Sequence, residues 1–232
     1  LLDFAPRLVA VGRIHEGGDN IDFEACQRRS VRVVQASSAT ARATAEWLLT
    51  ALLTLFRSGG NLNVGAAPGD LQSPGREIND SVIGLFGLSA PAQMLAPMLV
   101  ALGARVLGYD PALHRSAEIW ARLGVQPLSL AEMLAAADAI SMQTVYASRY
   151  RGLVGERVLQ SCKPGQLWVS ASRASLFELN ALAAALRSGR MAACWMDSDE
   201  ELLARPGNPL NGLPSARITP RFEQVAQFVD VL

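Results

Sequence analysis

The sequence predicts an α/β protein: a doubly wound parallel sheet with helices on both faces, plus part of a second α/β domain. From about residue 82 onward, short runs rich in β-branched residues alternate with stretches rich in alanine and leucine. Strands that alternate with helices of this length are typical of βαβ units, and therefore of a parallel sheet. The pattern changes before residue 82, where residues 58–75 are rich in Gly, Pro, Asn and Ser and predict a linker.

The composition is that of an ordinary globular protein of 232 residues, of which 50% are hydrophobic and 18% charged. The 21 basic residues balance the 21 acidic ones, so net charge gives no reason to expect nucleic acid or an anionic membrane as a partner. The three cysteines show no CxxC spacing, which argues against a zinc site or a disulfide framework and fits a reducing cytosol. The apolar runs are short or broken by charge, so we expect no membrane span. With no cysteine pattern for a metal site, we also expect no metal.

The N-terminal part predicts a fragment of an α/β unit. Residues 8–11 and 31–34 have strand patterns, and residues 23–29 lie between them with a helical pattern. So few elements bury little core on their own, and we expect them to belong to a second domain whose beginning is absent from this sequence. The apolar stretch at residues 43–57 predicts a longer helix.

The main sheet is predicted to begin with a buried strand at residues 82–87, followed by a helix at residues 91–102. Pro91 falls in the first turn of that helix, where a missing N–H costs nothing. Pro97 lies inside the helix and is expected to kink it. Gly103 then ends the helix at the position after the C-cap.

The same alternation continues to the end of the main domain. Ser129 is expected to act as the N-cap of a short helix. The further predicted elements are strands at residues 105–110, 139–143, 167–170, 192–196 and 216–219, and helices at residues 115–123, 129–136 and 177–188.

Four segments, in this order, carry a family resemblance. They read GDNID at residues 18–22, AE at 45–46, RGLVG to KPG at 151–165, and a run at 170–187 that contains Arg173. Together they resemble the D-2-hydroxyacid dehydrogenases, an NAD-dependent family that includes phosphoglycerate, formate, lactate and glyoxylate-type enzymes. The resemblance extends over nearly the whole chain.

The resemblance implies both an architecture and an activity. It implies a Rossmann NAD-binding domain at residues 76–218 and part of a flavodoxin-like substrate domain with a connecting helix at residues 1–57. Residues 58–75 would link the two, and residues 219–232 would return toward the substrate domain. The implied activity is that of an oxidoreductase, with hydride transfer between NAD and a small 2-hydroxy or 2-keto acid, in a homodimer formed through the nucleotide domain.

The family's GxGxxG loop corresponds here to GLSAPA at residues 87–92. Gly87 retains the first glycine, which permits the tight turn after the strand. Ser89 places a Cβ and a hydroxyl where phosphates should approach bare backbone, and Pro91 removes an N–H from the helix start. Ala92 is a mild replacement of the third glycine. By position, Ala90 also belongs to the cofactor-binding loop.

Other candidate cofactor-binding residues follow later strands. Asp110 ends the second strand, at close to the spacing expected of an acid that binds ribose hydroxyls, although an ordinary strand-ending turn is the alternative. An aspartate there favours NAD over NADP, a preference that Arg115 could soften. The resemblance implies that Thr144, in a loop reading QTV instead of the family's His-x-Pro, lines the cofactor. It also implies that Asp197 holds the nicotinamide amide.

The implied catalytic set departs from the family at the glutamate and histidine positions. Arg173 occupies the place of the arginine that binds the substrate carboxylate and carbonyl. The family glutamate corresponds to Leu202, and a one-residue slip would make it Glu201. The family histidine corresponds to Arg221, whose guanidinium stays protonated and cannot act as a general base. The alternative is that each arginine only pairs with a carboxylate.

Two interpretations of the function therefore remain open, and a third possibility is that dinucleotide binding has been lost as well. Glu16 and Gly17 match residues whose backbone N–H groups bind the substrate carboxylate, and the adjacent His15 is either a replacement base or a structural residue. If His15 is a replacement base, the sequence predicts an active oxidoreductase. Without one, it predicts a catalytically silent relative that serves as a ligand-binding or dimeric scaffold module.

Overall fold

The computed structural model describes residues 2–13, 21–35, 40–59, 75–198 and 201–219. The helices and strands in these segments, in chain order, are β1 (Ala10–Arg13), α1 (Phe23–Arg28), β2 (Arg32–Gln35), α2 (Ala41–Arg57), β3 (Val82–Phe86), α3 (Ala90–Ala101), β4 (Arg105–Tyr109), α4 (Glu118–Arg122), β5 (Gln126–Pro127), α5 (Leu130–Ala136), β6 (Ala139–Met142), α6 (Glu156–Gln160), β7 (Gln166–Ser170), α7 (Leu179–Arg187), β8 (Met191–Asp197), α8 (Glu201–Ala204) and β9 (Ala216–Thr219).

The first two strands form a small parallel sheet of their own. β1 begins two residues later than the strand predicted at residues 8–11. The reason is that the N–H of Leu8 closes a turn onto the carbonyl of Ala5, at 3.1 Å. The ladder then starts where Ala10 pairs with Arg32.

The remaining strands form one parallel sheet of seven, in the order β5-β4-β3-β6-β7-β8-β9. The chain starts at β3, runs outward through β4 to β5, and crosses back to place β6 on the other side of β3. This reversal is the switch point of a doubly wound fold, where ligands bind outside the carboxyl ends of the strands. The predicted fold class is confirmed, while the two-residue strand β5 is too short to show a sequence pattern.

Helices cover both faces of this sheet. On one face α2 packs against α3 and against β6 and β7, with Leu48, Leu52, Leu55 and Phe56 fully buried. Each such side chain contributes about 1.5–3 kcal/mol on burial. Helices α5, α6 and α7 cover the other face, around the buried indole of Trp168.

Helix α3 follows the first strand of the sheet directly. Its N-cap is Ser89, and Pro91 lies in its first turn, as predicted. The helix continues through the exposed Pro97 to Ala101. Gly103 follows with φ of +82°, the left-handed conformation predicted for a residue just after a helix.

Helix α4 starts later than the helix predicted at residues 115–123. The indole N–H of Trp120 and the backbone N–H of Ala117 both donate to the carbonyl of His114, at 3.0 and 3.1 Å. These bonds hold the preceding residues in a turn, so the helix is confined to Glu118–Arg122.

Helix α7 is also shorter than the helix predicted at residues 177–188. Phe177 belongs instead to the end of a 3₁₀ turn, Ala174–Leu176, because its N–H donates to the carbonyl of Ala174 at 2.9 Å. It also bridges to Val154. The sequence pattern predicts neither α6 nor α8, because helices of five and four residues are too short to show a period.

Asp138 joins the amino ends of the central strands. One carboxylate oxygen lies 2.7 Å from Nζ of Lys163 and 3.5 Å from a guanidinium nitrogen of Arg76. The other accepts the backbone N–H of Val82 at 2.9 Å. Burial alone would raise the pKa of Asp138, but the hydrogen bonds from Lys163 and Val82 and the two cationic charges outweigh it and hold the pKa below its ordinary value.

No helix in the described segments combines the length and apolar character needed to cross a membrane.

Candidate active site

The loops after β3 and β6 meet at the switch point of the sheet. Gly87 has φ of +94°, and its backbone N–H donates to the carbonyl of Tyr109 at 2.8 Å. A Cβ at Gly87 would lie 2.6 Å from Cα of Thr144 and 2.7 Å from its nitrogen. Both the backbone angle and the close approach therefore require glycine. This contact lies at the carboxyl ends of β3 and β6, where a doubly wound fold is expected to form the crevice for a dinucleotide.

A buried polar network fixes these two loops to each other. The amide nitrogen of Gln143 donates to the carbonyl of Gly87 at 3.0 Å, and its amide oxygen accepts the hydroxyl of Ser141 at 2.9 Å. The hydroxyl of Thr144 donates to the carbonyl of Phe86 at 2.9 Å. Sequence reasoning missed the anchoring role of Gln143. The signal for it is a set of polar residues closing an otherwise apolar strand.

The N-terminus of α3 offers few backbone donors to a phosphate. Ser89 has an extended backbone, its hydroxyl caps no N–H of the helix, and its carbonyl accepts the N–H of Gln93 at 3.0 Å. Among the first three helical residues, only Ala90 and Ala92 carry an N–H, because Pro91 has none. The turn is therefore the one that a dinucleotide requires, but its donor set is reduced.

Asp110 lies beside this loop and fixes it. One carboxylate oxygen accepts the N–H of Leu88 and the other the N–H of Ala112, both at 2.7 Å. A carboxylate has about four acceptor sites, so sites remain for ribose hydroxyls. Burial, followed by the nearby charges of Asp110 and Tyr150, raises the pKa of Tyr109, so this phenol stays protonated at neutral pH.

Arg115 is directed toward the start of α5. Its guanidinium lies 3.5 Å from the carboxylate of Glu132. Glu132 and Ser129 form a capping box, and the hydrogen bond from the Ser129 hydroxyl lowers the pKa of Glu132. Because Arg115 is paired in this way, the structure gives no support for its softening the preference of Asp110 for NAD.

Arg173 follows β7 on the same edge of the sheet. Its guanidinium carbon lies 4.9 Å from the ring centroid of Tyr146, and the side chain is exposed. The hydroxyl of the preceding Ser172 donates to the carbonyl of Thr144 at 3.1 Å. The loop that carries Arg173 is therefore tied to the loop that meets Gly87.

Two acidic candidates follow β8. Asp197 is the last residue of that strand, is buried, and pairs in register with Thr219. Glu201 is the first residue of α8 and is exposed. Helix α8 packs against the 3₁₀ turn that follows Arg173, so the structure brings the elements that carry Glu201 and Arg173 together.

Other candidates lie outside the described residues. These are Arg221, Glu16, Gly17 and His15, together with most of the linker predicted at residues 58–75. In the described part of the chain, no group of three or more His, Cys, Asp or Glu side chains could hold a metal ion.

Comparison with known proteins places this geometry in context. Residues 49–222 match the family model described as "D-isomer specific 2-hydroxyacid dehydrogenase, NAD binding domain". A D-3-phosphoglycerate dehydrogenase of Mycobacterium leprae is 33% identical over 205 residues, which are 85% of this chain and 38% of that protein. An (S)-sulfolactate dehydrogenase of Chromohalobacter salexigens is 29% identical over 228 residues, covering 97% of this chain and 74% of its own length.

Among solved structures, the fold is similar to that of Rhodotorula graminis D-mandelate dehydrogenase. The TM-score is 0.82 at 24% identity, covering 97% of this chain and 70% of that chain. The match to the M. leprae protein covers only 38% of the length of that protein.

Proposed function

Because this chain belongs to the D-isomer specific 2-hydroxyacid dehydrogenases, we propose that it transfers hydride between NAD and a small 2-hydroxy or 2-keto acid. The observation that carries the proposal is Arg173, an exposed guanidinium whose loop is tied by Ser172 to the dinucleotide crevice. Bound NAD supplies the hydride acceptor or donor. The residues of the chain bind and orient the two reactants.

NAD is the cofactor of this family domain, and the described residues fit it in part. Gly87 provides the turn, and Ala90 and Ala92 provide backbone donors at the start of α3. Asp110 would hold ribose hydroxyls with its remaining acceptor sites, while its charge disfavours a 2′-phosphate. Thr144 would line the crevice.

Arg173 would bind the substrate carboxylate through paired charge-assisted hydrogen bonds. Contact with the ring of Tyr146 restricts the guanidinium before substrate arrives, so less side-chain entropy is lost on binding. By position, Asp197 would hold the nicotinamide amide. Glu16 and Gly17 are proposed to bind the same substrate carboxylate through backbone N–H groups.

The proton step distinguishes this chain from its family. Arg221 stays charged and cannot accept the hydroxyl proton, and we propose that Glu201 pairs with it. Loss of a positioned base typically slows the reaction by about 10²–10⁴-fold. We therefore expect slow turnover. If the protein has no turnover at all, it would be a catalytically silent relative that still binds NAD and a carboxylate.

The first prediction concerns Arg173. Calorimetric titration of the NADH-loaded protein with glyoxylate should show binding that Arg173→Ala weakens about 10- to 100-fold, because charge-assisted hydrogen bonds are worth about 1.5–3 kcal/mol. The matched control is Arg105→Ala. Arg105 is an exposed arginine at the amino edge of the sheet that donates to Gln126 at 2.7 Å, and its removal should leave binding unchanged.

Rates of NADH oxidation with several 2-keto acids complete this test. Equal glyoxylate affinity in wild type and Arg173→Ala would show that the assignment of Arg173 is wrong. Binding without measurable turnover would favour the silent relative. In that case Arg221→His should restore turnover if the missing base is the cause.

We also propose a cytoplasmic homodimer assembled through the nucleotide domain. Exposed apolar side chains on the adjoining helices α2 and α3, namely Leu53, Met94 and Val100, support a contact surface there. Sedimentation velocity would test the dimer, and a monomer at micromolar concentration would contradict it.

The cysteines of the described residues support the proposed compartment. They are free and buried, which fits a reducing environment, and burial raises the pKa of Cys162 and of Cys194 to about 12.

A further inference from the structure

The start of α3 offers few hydrogen-bond donors to the phosphates of a dinucleotide. A dinucleotide brings two phosphate charges to the start of α3, where Pro91 has no N–H and Ser89 places a side chain against the approach. The backbone alone therefore offers less than this site type normally provides. A cation elsewhere on the same rim would compensate for the loss.

Arg149 is such a cation. It lies in a 3₁₀ turn, Ser148–Tyr150, in the connection that follows β6 at the carboxyl edge of the sheet. Its guanidinium carbon is 4.5 Å from the ring centroid of Tyr150, and one guanidinium nitrogen donates to the Tyr150 hydroxyl at 2.9 Å. The side chain is exposed, so its remaining N–H groups are accessible to a ligand.

The charge of Arg149 is not neutralised within the described part of the chain. No described carboxylate lies within ion-pair distance of it, whereas Arg115 pairs with Glu132 and Arg76 with Asp138. Stacking on tyrosine holds the guanidinium without consuming its charge. An arginine held in this way is preorganised for an anion.

The position of the turn points to the cofactor crevice. The turn begins at Ser148, shortly after Thr144, whose backbone lies against Gly87. Tyr150 packs against the same apolar cluster as Tyr109, the chain neighbour of Asp110. Asp110 in turn binds the N–H of Leu88, within the dinucleotide loop. The turn that carries Arg149 therefore continues the loop that meets Gly87 at the crevice.

We propose that Arg149 binds the pyrophosphate of the dinucleotide and replaces the donors lost at Ser89 and Pro91, a proposal that rests on the cofactor assignment of the proposed function. The chemistry is a charge-assisted, bidentate contact between guanidinium and phosphate oxygens. The 2′-phosphate of NADP would offer Arg149 the same kind of contact. The carboxylate of Asp110 opposes it, so the pyrophosphate is the favoured ligand.

The test is equilibrium titration with NADH in the absence of substrate, followed by NADH fluorescence and by calorimetry. We expect Arg149→Ala to weaken NADH binding about 10- to 100-fold and to flatten its dependence on salt, as loss of a charge-assisted contact requires. Arg149→Lys should retain part of the affinity, and Arg105→Ala all of it. Adenosine, which has no phosphate, should bind wild type and Arg149→Ala equally.

Several outcomes would overturn the proposal. Unchanged NADH affinity in Arg149→Ala would show that the residue makes no phosphate contact. An equal loss for adenosine would show that the arginine acts through loop structure. A loss confined to NADPH would assign it to the 2′-phosphate. NADH binding that depends on Arg149 in a protein without turnover would support this proposal while refuting dehydrogenase activity, and absence of NADH binding in wild type would refute both.

Discussion

Arg217 combines a favourable and an unfavourable contact in one side chain. Its guanidinium carbon lies 4.2 Å from the ring centroid of Trp195, yet its Nη1 is buried with no hydrogen-bond partner among the described residues. Trp195 meets Trp47 edge to face at 5.9 Å and donates to the hydroxyl of Thr219 at 2.9 Å. An unsatisfied buried donor costs about 1–3 kcal/mol, against about 0.5–2 kcal/mol for the cation–π contact.

We predict that Arg217→Met leaves the free energy of unfolding unchanged or raises it by about 1 kcal/mol. The thioether keeps an apolar stem over Trp195 and removes the buried donor. Urea denaturation measures the change, and Arg105→Met serves as an exposed control expected within about 0.5 kcal/mol of wild type. A loss of more than about 1 kcal/mol would mean that stacking outweighs the unsatisfied nitrogen.

At this scale the sequence predicts positions better than partners. The motif at residues 87–92 locates Gly87, because the spacing after a strand dictates where the tight turn falls. It does not reveal that Gln143 holds the carbonyl of Gly87, or that Arg149 stacks on Tyr150, because side-chain orientation depends on tertiary packing. The same limit applies to Arg217.

Among the elements, the strands of the main sheet other than β5 are the most predictable, because each is an apolar run between turns. Helix starts are less so. The bond from the Trp120 indole to the carbonyl of His114 delays α4, and the 3₁₀ turn ending at Phe177 delays α7. Neither bond has a periodic signature. The polar contacts of Asp138 are also not apparent in the sequence, although they join the starts of β3 and β6 to Lys163.

We predict that Asp138→Asn lowers the free energy of unfolding by about 1–3 kcal/mol at pH 7, because the charge-assisted bonds to Lys163 and Val82 weaken. The folded-state pKa of Asp138 is depressed, so its stabilisation is fully present above the unfolded pKa of about 3.9 and is lost as pH falls through the folded value. Urea denaturation at several pH values between 7 and 3 should show the two proteins converging in acid. A difference that stays constant with pH would contradict this assignment.

For the whole molecule, the alternation of elements predicts a doubly wound parallel sheet, and the switch point follows from the strand order in the structure. The small sheet of β1 and β2 differs from the main sheet. Phe4, Val9, Phe23 and Val34 all remain exposed in its neighbourhood, although parallel sheets are normally covered on both faces. The sequence predicts this incompleteness, because two strands and their helices cannot enclose a core.

Mutations at the two ends of the strands of the parallel sheet should have different effects. Candidate ligand-binding groups follow the ends of its strands, whereas Asp138 and its cationic partners lie where the central strands begin. Random mutagenesis should therefore yield two populations: lesions near Asp138 would reduce the yield of soluble protein, and lesions near Gly87 or Arg173 would leave yield intact while impairing ligand capture. Measuring the expression of each variant first, and its dinucleotide binding second, would map the residues at both ends of the strands without an assay for substrate.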